Sequence, residues 1–161
     1  MSKKALWVQV SSPINASAVA IWNVLTQPEL TEKYMYDCQL HSDWKIGSKA
    51  VWRAKSPNGG WVDHVEAVVL KVDPYKHLAF EIQHKSSDKN TKEVSILHFN
   101  INPISEGSEL LIRQGDFGKI SFGEDGYHKC EQGWNYVLPK LIQTCNLLKI
   151  KSDAFKEKNT H

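Results

Sequence analysis

The sequence predicts an α+β fold, an antiparallel sheet packed against one long C-terminal helix. Three observations carry that prediction. First, about six strand-like segments follow one another through links of hairpin length, which join antiparallel neighbours. Second, helical patterns stand at the two ends of this run and not between its strands, which separates an α+β chain from one of alternating βαβ units. Third, Tyr127, Cys130, Trp134, Val137, Leu141, the adjacent Thr144/Cys145 position and Leu148 recur at steps of three and four. They make one apolar stripe about 32 Å long at about 1.5 Å per residue. Only the concave face of a sheet is long enough to cover it.

Over residues 6–14, Leu6, Val8 and Val10 alternate with Trp7, Gln9 and Ser11, a strand that Pro13 is expected to close. Asn15 suits the N-cap of a helix over NASAVAIWNVLT, with Val19, Trp22 and Leu25 along its inner face. Pro28, in a first turn, opens a second short helix, PELTEKYM. A short strand is expected over residues 37–41, and KAVWRA forms another after the link SDWKIGS. SPNGG is the strongest turn signal in the chain. Beyond it VDHVEAVVLKV and HLAFEIQHK are strands parted by Asp73-Pro74, and SSDKN is the next loop. KEVSILHFNIN follows as a strand, SEG as a turn and SELLIRQGDF as the last strand. The long helix is expected over about 122–150, with the polar tail KSDAFKEKNTH frayed. No internal repeat or linker divides the chain, so residues 1–161 are expected to form one domain with its ordered core over about 6–150.

Gly133 and Pro139 interrupt the long helix, where they cost about 1 and about 3 kcal/mol relative to alanine. In a geometric reading, Pro139 frees the carbonyl of Asn135 and bends the helix to follow a twisted sheet. In a functional reading, the absent side chain at Gly133 and the bend hold the helix off the sheet and leave a cavity beneath Trp134. The two are compatible.

Composition excludes several roles. Twenty basic and eighteen acidic side chains, for a net charge of +2, are scattered along the chain and give no argument for nucleic acid. No apolar run approaches the roughly 18 residues that cross a bilayer. The N-terminus lacks the apolar core and cleavage site of a signal peptide. Three cysteines, Cys38, Cys130 and Cys145, form no CxxC pair and are odd in number. Free, buried thiols in a reducing cytoplasm are therefore expected. Six tryptophans supply either a thick core or the lining of an apolar pocket.

Four stretches resemble a known family: SSPINASAVAIWNVLTQPELTEKY (residues 11–34), WKIGS (44–48), VLKVDPYKHLAFE (69–81) and the Gly133-Trp134 pair opening an apolar helix. In this order they are similar to the START-like superfamily, also called SRPBCC, helix-grip or birch-pollen-allergen-like. Within it they resemble the branch named after the C-terminal domain of the activator of the ninety-kilodalton heat-shock chaperone's ATPase. Lys71 stands where the family usually has an acidic residue before Val-Asp-Pro, and Ala50 where it usually has an aromatic. The pocket is therefore expected to depart from the family's average. The resemblance implies a helix-grip fold, a curved antiparallel sheet of about seven strands wrapped around the C-terminal helix. Two short helices after the first strand would close one end, and a cavity would lie between helix and sheet. It also implies a range of roles, since members bind lipids, sterols, hormones or polyketides, act as cyclases, or assist the chaperone.

Strand alternation selects what faces such a cavity. On HLAFEIQHK, Leu78, Phe80 and Ile82 point inward and put His84 on the same side; on VSILHFNI, Leu97, Phe99 and Ile101 do, which sends His98 to solvent. Leu110, Ile112 and Gln114 share the inner face of the last strand. On VDHVEAVVLKV the inner set Val68, Leu70 and Val72 is expected to extend back to Glu66 and His64. On AVWRA it is Ala50, Trp52 and Ala54, with Arg53 outside. The helix adds Tyr127, Cys130, Trp134 and Val137, and Phe117 and Phe122 in GDFGKISFGEDG are candidate lid residues. His64, Glu66, His84 and Gln114 are either rim residues or the few polar contacts that small-molecule sites converge on a guest.

The expected function is binding of a small hydrophobic or aromatic ligand of the lipid, sterol, flavonoid or polyketide class. One alternative is a cyclase or hydratase using Glu66 and His64 as base and acid. The other is a chaperone activator, although only about five residues precede the first strand here, whereas a separate N-terminal domain supplies much of the stimulation in such activators. His41, His64, His77, His84, His98 and His128 show no HxxxH or HxH spacing, so no metal is expected. The glycine-rich run lacks the phosphate-loop spacing, and no cofactor is expected.

Overall fold

The structure, a computed structural model, describes residues 4–84 and 93–158, with side chains up to Lys149. The loop expected over SSDKN lies outside these residues. The elements run β1 (Val8–Ile14), α1 (Ala18–Thr26), α2 (Pro28–Thr31), β2 (Gln39–Ser42), β3 (Lys49–Lys55), β4 (Trp61–Asp73), β5 (His77–His84), β6 (Glu93–Ile104) and β7 (Gly107–Gly115). A 3-10 turn (Phe117–Lys119) then leads into α3 (Gly123–Lys158). Every neighbouring pair in the seven-stranded sheet is antiparallel, in the order β1-β7-β6-β5-β4-β3-β2. β1 and β7 pair although they lie far apart in sequence, while α1 and α2 carry the chain across to the opposite edge at β2. This is the α+β, helix-grip architecture.

Local chemistry moves several boundaries. Pro13 does not close β1 but sits inside it opposite Glu109, which an edge strand tolerates because a missing N–H can face outward. The cap of α1 is Ser17, not Asn15: its hydroxyl accepts from Ala20 N at 3.1 Å. That start buries Ile21, Val24 and Leu25 and leaves Val19 exposed, correcting the expected inner face. Tyr36 and Asp37 have φ of 50° and 62°, so a left-handed turn occupies the expected start of β2. α3 runs to Lys158, well past the expected end, and the tail expected to fray is helical that far. Its sequence, KSDAFKEK, contains no glycine or proline to stop a helix.

β4 departs most from simple alternation. Its register against β5 slips between Val69 and Lys71, which leaves Leu70 as the extra residue of a bulge. Val72 faces inward as expected, but upstream of the bulge the phase reverses and the inner set is Val65, Ala67 and Val69. Leu70 is 38% exposed, so its expected place on the inner face is wrong. A second slip, between Trp52 and Arg53, falls opposite His64. Glu66 and His64 are accordingly exposed and do not continue the core face.

The stripe on α3 behaves as its spacing predicts, with Trp134, Val137, Leu141, Thr144 and Cys145 buried. The helix packs closely on β1, α1 and the 3-10 turn, but stands back from β3, β4 and β5. The space between is a cavity.

Candidate functional site

The cavity has a volume of about 990 Å³ and lies between the inner sheet face and the N-terminal half of α3. Trp52, Val65, Ile82 and Leu97 form its sheet wall, and Gly133, Trp134 and Val137 its helix wall. Phe117, Phe122 and Gly126 close one side, and Met35 and Tyr36 from the turn after α2 another. Asp63, His64, Glu66, Asp125 and Lys129 mark an exposed rim.

A file of edge-to-face rings holds the two tryptophans. Trp52 meets Phe80 at 5.1 Å between centroids, Phe80 meets Phe99 at 6.4 Å, and Phe99 meets Trp134 at 5.7 Å. Such contacts add about 0.5–1.5 kcal/mol each beyond area burial. They fix the width of the cavity by bracing β3 against α3 through buried rings. Gly133 sets its height: a Cβ built there would meet only Tyr36 Oη, at 3.8 Å. Gly126 is required for a different reason, since a Cβ there would strike the Phe122 ring.

Inside lies one polar chain. Trp134 Nε1 donates to Gln114 Oε1 at 2.9 Å, and Cys130 Sγ donates to the same oxygen at 3.3 Å. Gln114 Nε2 donates to Ser95 Oγ at 2.9 Å, and His84 Nε2 lies 2.7 Å from that hydroxyl. His84 itself stands between Phe117 and Phe122, at 6.1 and 5.4 Å. Burial lowers the His84 pKa below 6.5, against the opposing pull of Glu93, so the imidazole is neutral near pH 7. Burial pushes the Cys130 thiol up to about 12, which keeps it protonated and a donor. At the rim the charges come in pairs: Glu66 lies 3.3 Å from Lys49, and Asp125 lies 3.1 Å from Lys129. Arg53 Nε and Asp63 Oδ1 lie 3.0 Å apart, an ion pair without the alignment of a hydrogen bond.

Of the residues expected at the site, Trp52, Ile82, His84, Gln114 and Phe117 line the cavity, as do Phe122, Cys130, Trp134 and Val137. Glu66 and His64 reach only its rim. Phe80, Phe99 and Ile112 are buried behind the wall and brace it. Tyr127 turns aside and donates to Glu131 at 3.3 Å. Leu70 is outside altogether. Ala50 and Ala54, small residues on the expected inner face, are not part of the lining. Sequence reasoning missed Ser95, which alternation back from Leu97 places on the inner face, along with Met35, Tyr36, Val65 and Lys129. Among the described residues, no group of three or more His, Cys, Asp and Glu side chains is placed to hold a metal ion.

A sheet of seven strands gripping a long helix over a half-open, mostly apolar cavity defines a START-like, or SRPBCC, domain. The family model described as activator of Hsp90 ATPase homolog 1-like protein matches residues 15–146, and the chain belongs to that family. Among curated proteins none matches the chain in sequence. Solved structures share its fold. MLL2253 from Mesorhizobium loti is 24% identical with a TM-score of 0.70, over 87% of this chain and 96% of that one. ChR145 from Cytophaga hutchinsonii is 23% identical with a TM-score of 0.67, over 95% and 99%. The Aha1 dimer from Colwellia psychrerythraea is 16% identical with a TM-score of 0.66, over 87% and 96%.

Proposed function

We propose that this chain binds a small hydrophobic or aromatic molecule of the lipid, sterol, flavonoid or polyketide class in the cavity between the sheet and α3. The observation that carries this reading is the cavity itself, about 990 Å³ with two tryptophans, Trp52 and Trp134, on its walls. Small-molecule sites enclose about 300–1,000 Å³, mostly apolar with a few convergent polar groups. The polar chain through Gln114 has that character. The free thiols of Cys38, Cys130 and Cys145 fit a cytoplasmic setting. Among the described residues, no helix is long and apolar enough to cross a membrane.

The cyclase or hydratase alternative has less support, because Glu66 is ion-paired with Lys49 at the rim and His64 is exposed beside it. The family's name keeps a chaperone-activator reading in view. Recovery of the ninety-kilodalton heat-shock chaperone on this chain, with no small guest found, would favour it.

Amide spectra of the labelled protein against mixtures of fatty acids, sterols, flavonoids and aromatic polyketides test the binding reading. Shifts are expected at Trp52, Gln114 and around Gly133. Gly133→Phe, whose ring enters the space beneath α3, is expected to weaken any such guest at least about tenfold while the rest of the spectrum persists. No shift from any mixture, in a folded sample, overturns the reading.

A further inference from the structure

The face of the sheet turned away from α3 carries a row of its own. Arg113 of β7 pairs with His98 of β6, His98 with Ala79 of β5, and Ala79 with Lys71 of β4. Residues paired in this way stand side by side on one face, at strand spacings of about 4.8 Å. Two cations thus end a short row whose middle is an imidazole and a methyl group. His77 joins the row at His98, with its Nε2 2.9 Å from His98 Nδ1. Arg113 is held in place. Trp7 lies over Gly115, where a Cβ would come within 2.7 Å of the indole, and the Arg113 guanidinium packs on that indole at 4.9 Å. Yet among the described residues no carboxylate pairs with Arg113 or Lys71, whereas Lys49, Arg53 and Lys129 each face one. Arg113 Nε is buried without an acceptor. Burial first, then His77, Arg113 and Lys71, disfavours the cationic form of His98, so both cations act on that ring. The carboxylate that acts on the pair is Asp73, which favours the cationic form of His77. Glu81 follows Ala79 on the same face of β5.

We propose that Arg113 and Lys71 bracket a site for a phosphate-type oxyanion on the outer face of the sheet, over His98. A stacked guanidinium keeps its fork of N–H groups fixed, and that fork matches two oxygens of one anion. Lys71 supplies a point charge from the far end of the row, over the small side chain of Ala79. A metal cation has no place there, because two like charges flank the histidines. An oxyanion offsets those charges and so favours a proton on the histidine pair. One added proton leaves the bond between His77 and His98 intact, since one ring stays neutral. Anion and proton therefore enter together, and binding tightens as pH falls. Free phosphate and the phosphoryl group of a larger molecule share this chemistry.

Sulfate tests the site, because its charge stays constant throughout the range in which histidines titrate. At an ionic strength held constant with chloride, sulfate is expected to shift the Trp7 Nε1–H and Arg113 Nε–H resonances saturably. Arg113→Gln and Lys71→Gln should each weaken that binding at least about fivefold, the loss of one charge-assisted contact at a partly exposed site. Lys71 is exposed, so its substitution leaves the fold in place. Wild-type binding should tighten at least about threefold from about pH 7.5 to about pH 5.5, and binding to His98→Gln should not. Inorganic phosphate and phenyl phosphate, compared at about pH 7.5, separate the two sources. Tighter phosphate assigns the site to the free ion and tighter phenyl phosphate to a larger molecule, and either supports it. Shifts that chloride alone reproduces overturn the site, as does sulfate binding of wild-type strength in both Arg113→Gln and Lys71→Gln. Wild-type binding that ignores pH overturns the coupling to the histidines. The cavity beneath α3 plays no part in any of these outcomes.

Discussion

His77 and His98 meet across β5 and β6, on the face of the sheet opposite the core, with His77 Nε2 2.9 Å from His98 Nδ1 and ring centroids 5.1 Å apart. One nitrogen must donate and the other accept, so the bond survives only while at least one ring is neutral. Burial first, then Lys71, lowers the pKa of His77; burial first, then His77, Arg113 and Lys71, lowers that of His98. The unfolded chain, with histidines near 6.5, takes up protons before the folded one does. The stability contributed by this pair is therefore present above about pH 6.5 and is lost as pH falls through the window down to the lowered folded values. His84 adds in the same direction. The thermal midpoint should drop between about pH 7.5 and about pH 5, and His98→Gln should flatten that drop. A wild-type midpoint constant over the window, or an unaltered slope in the variant, would contradict the pairing. Nothing in the spacing of the histidines announced it, because cross-strand partners follow from register, which one sequence does not display. Ser95 escaped notice for the same reason: a serine acquires its role only once Gln114 and His84 stand on either side.

At the scale of elements, readability depended on how far a periodic pattern ran without interruption. The stripe on α3 was readable because steps of three and four continue without interruption, and burial follows them from Trp134 to Cys145. β4 was not, because bulges at Leu70 and opposite His64 shift its phase twice, and each shift moves side chains to the other face. That is why the Glu66–His64 pair seemed to face inward when it does not. The phase of α3 has an energetic signature. Leu141 is fully buried, and Leu141→Ala should cost about 2–5 kcal/mol in urea unfolding. Leu147 is half exposed on the opposite side, and Leu147→Ala should fall within about 0.5 kcal/mol of wild type. Equal costs at the two positions would mean that α3 is rotated from the orientation described.

For the whole molecule, the same helix does two jobs along its length. It packs on β1, α1 and the 3-10 turn, and its N-terminal half stands off β3, β4 and β5 over the cavity. The cavity exists only in the folded chain, and part of its wall, Trp52, Ile82, Leu97, Trp134 and Val137, is also core. A guest that enters it binds the folded chain and not the unfolded one. It should then stabilise by mass action, about 2.7 kcal/mol at a free concentration of one hundred times its Kd. For a chain of this size each kcal/mol raises Tm by about 2–4 °C. A cavity guest at that concentration should thus raise Tm by about 5–10 °C, and the rise should grow with the logarithm of concentration beyond saturation. Gly133→Phe, with the space filled, should keep its own transition and lose the rise. A molecule that shifts resonances yet leaves Tm unchanged at all concentrations binds folded and unfolded chains alike. That outcome would place it on exposed surface and not between the sheet and α3.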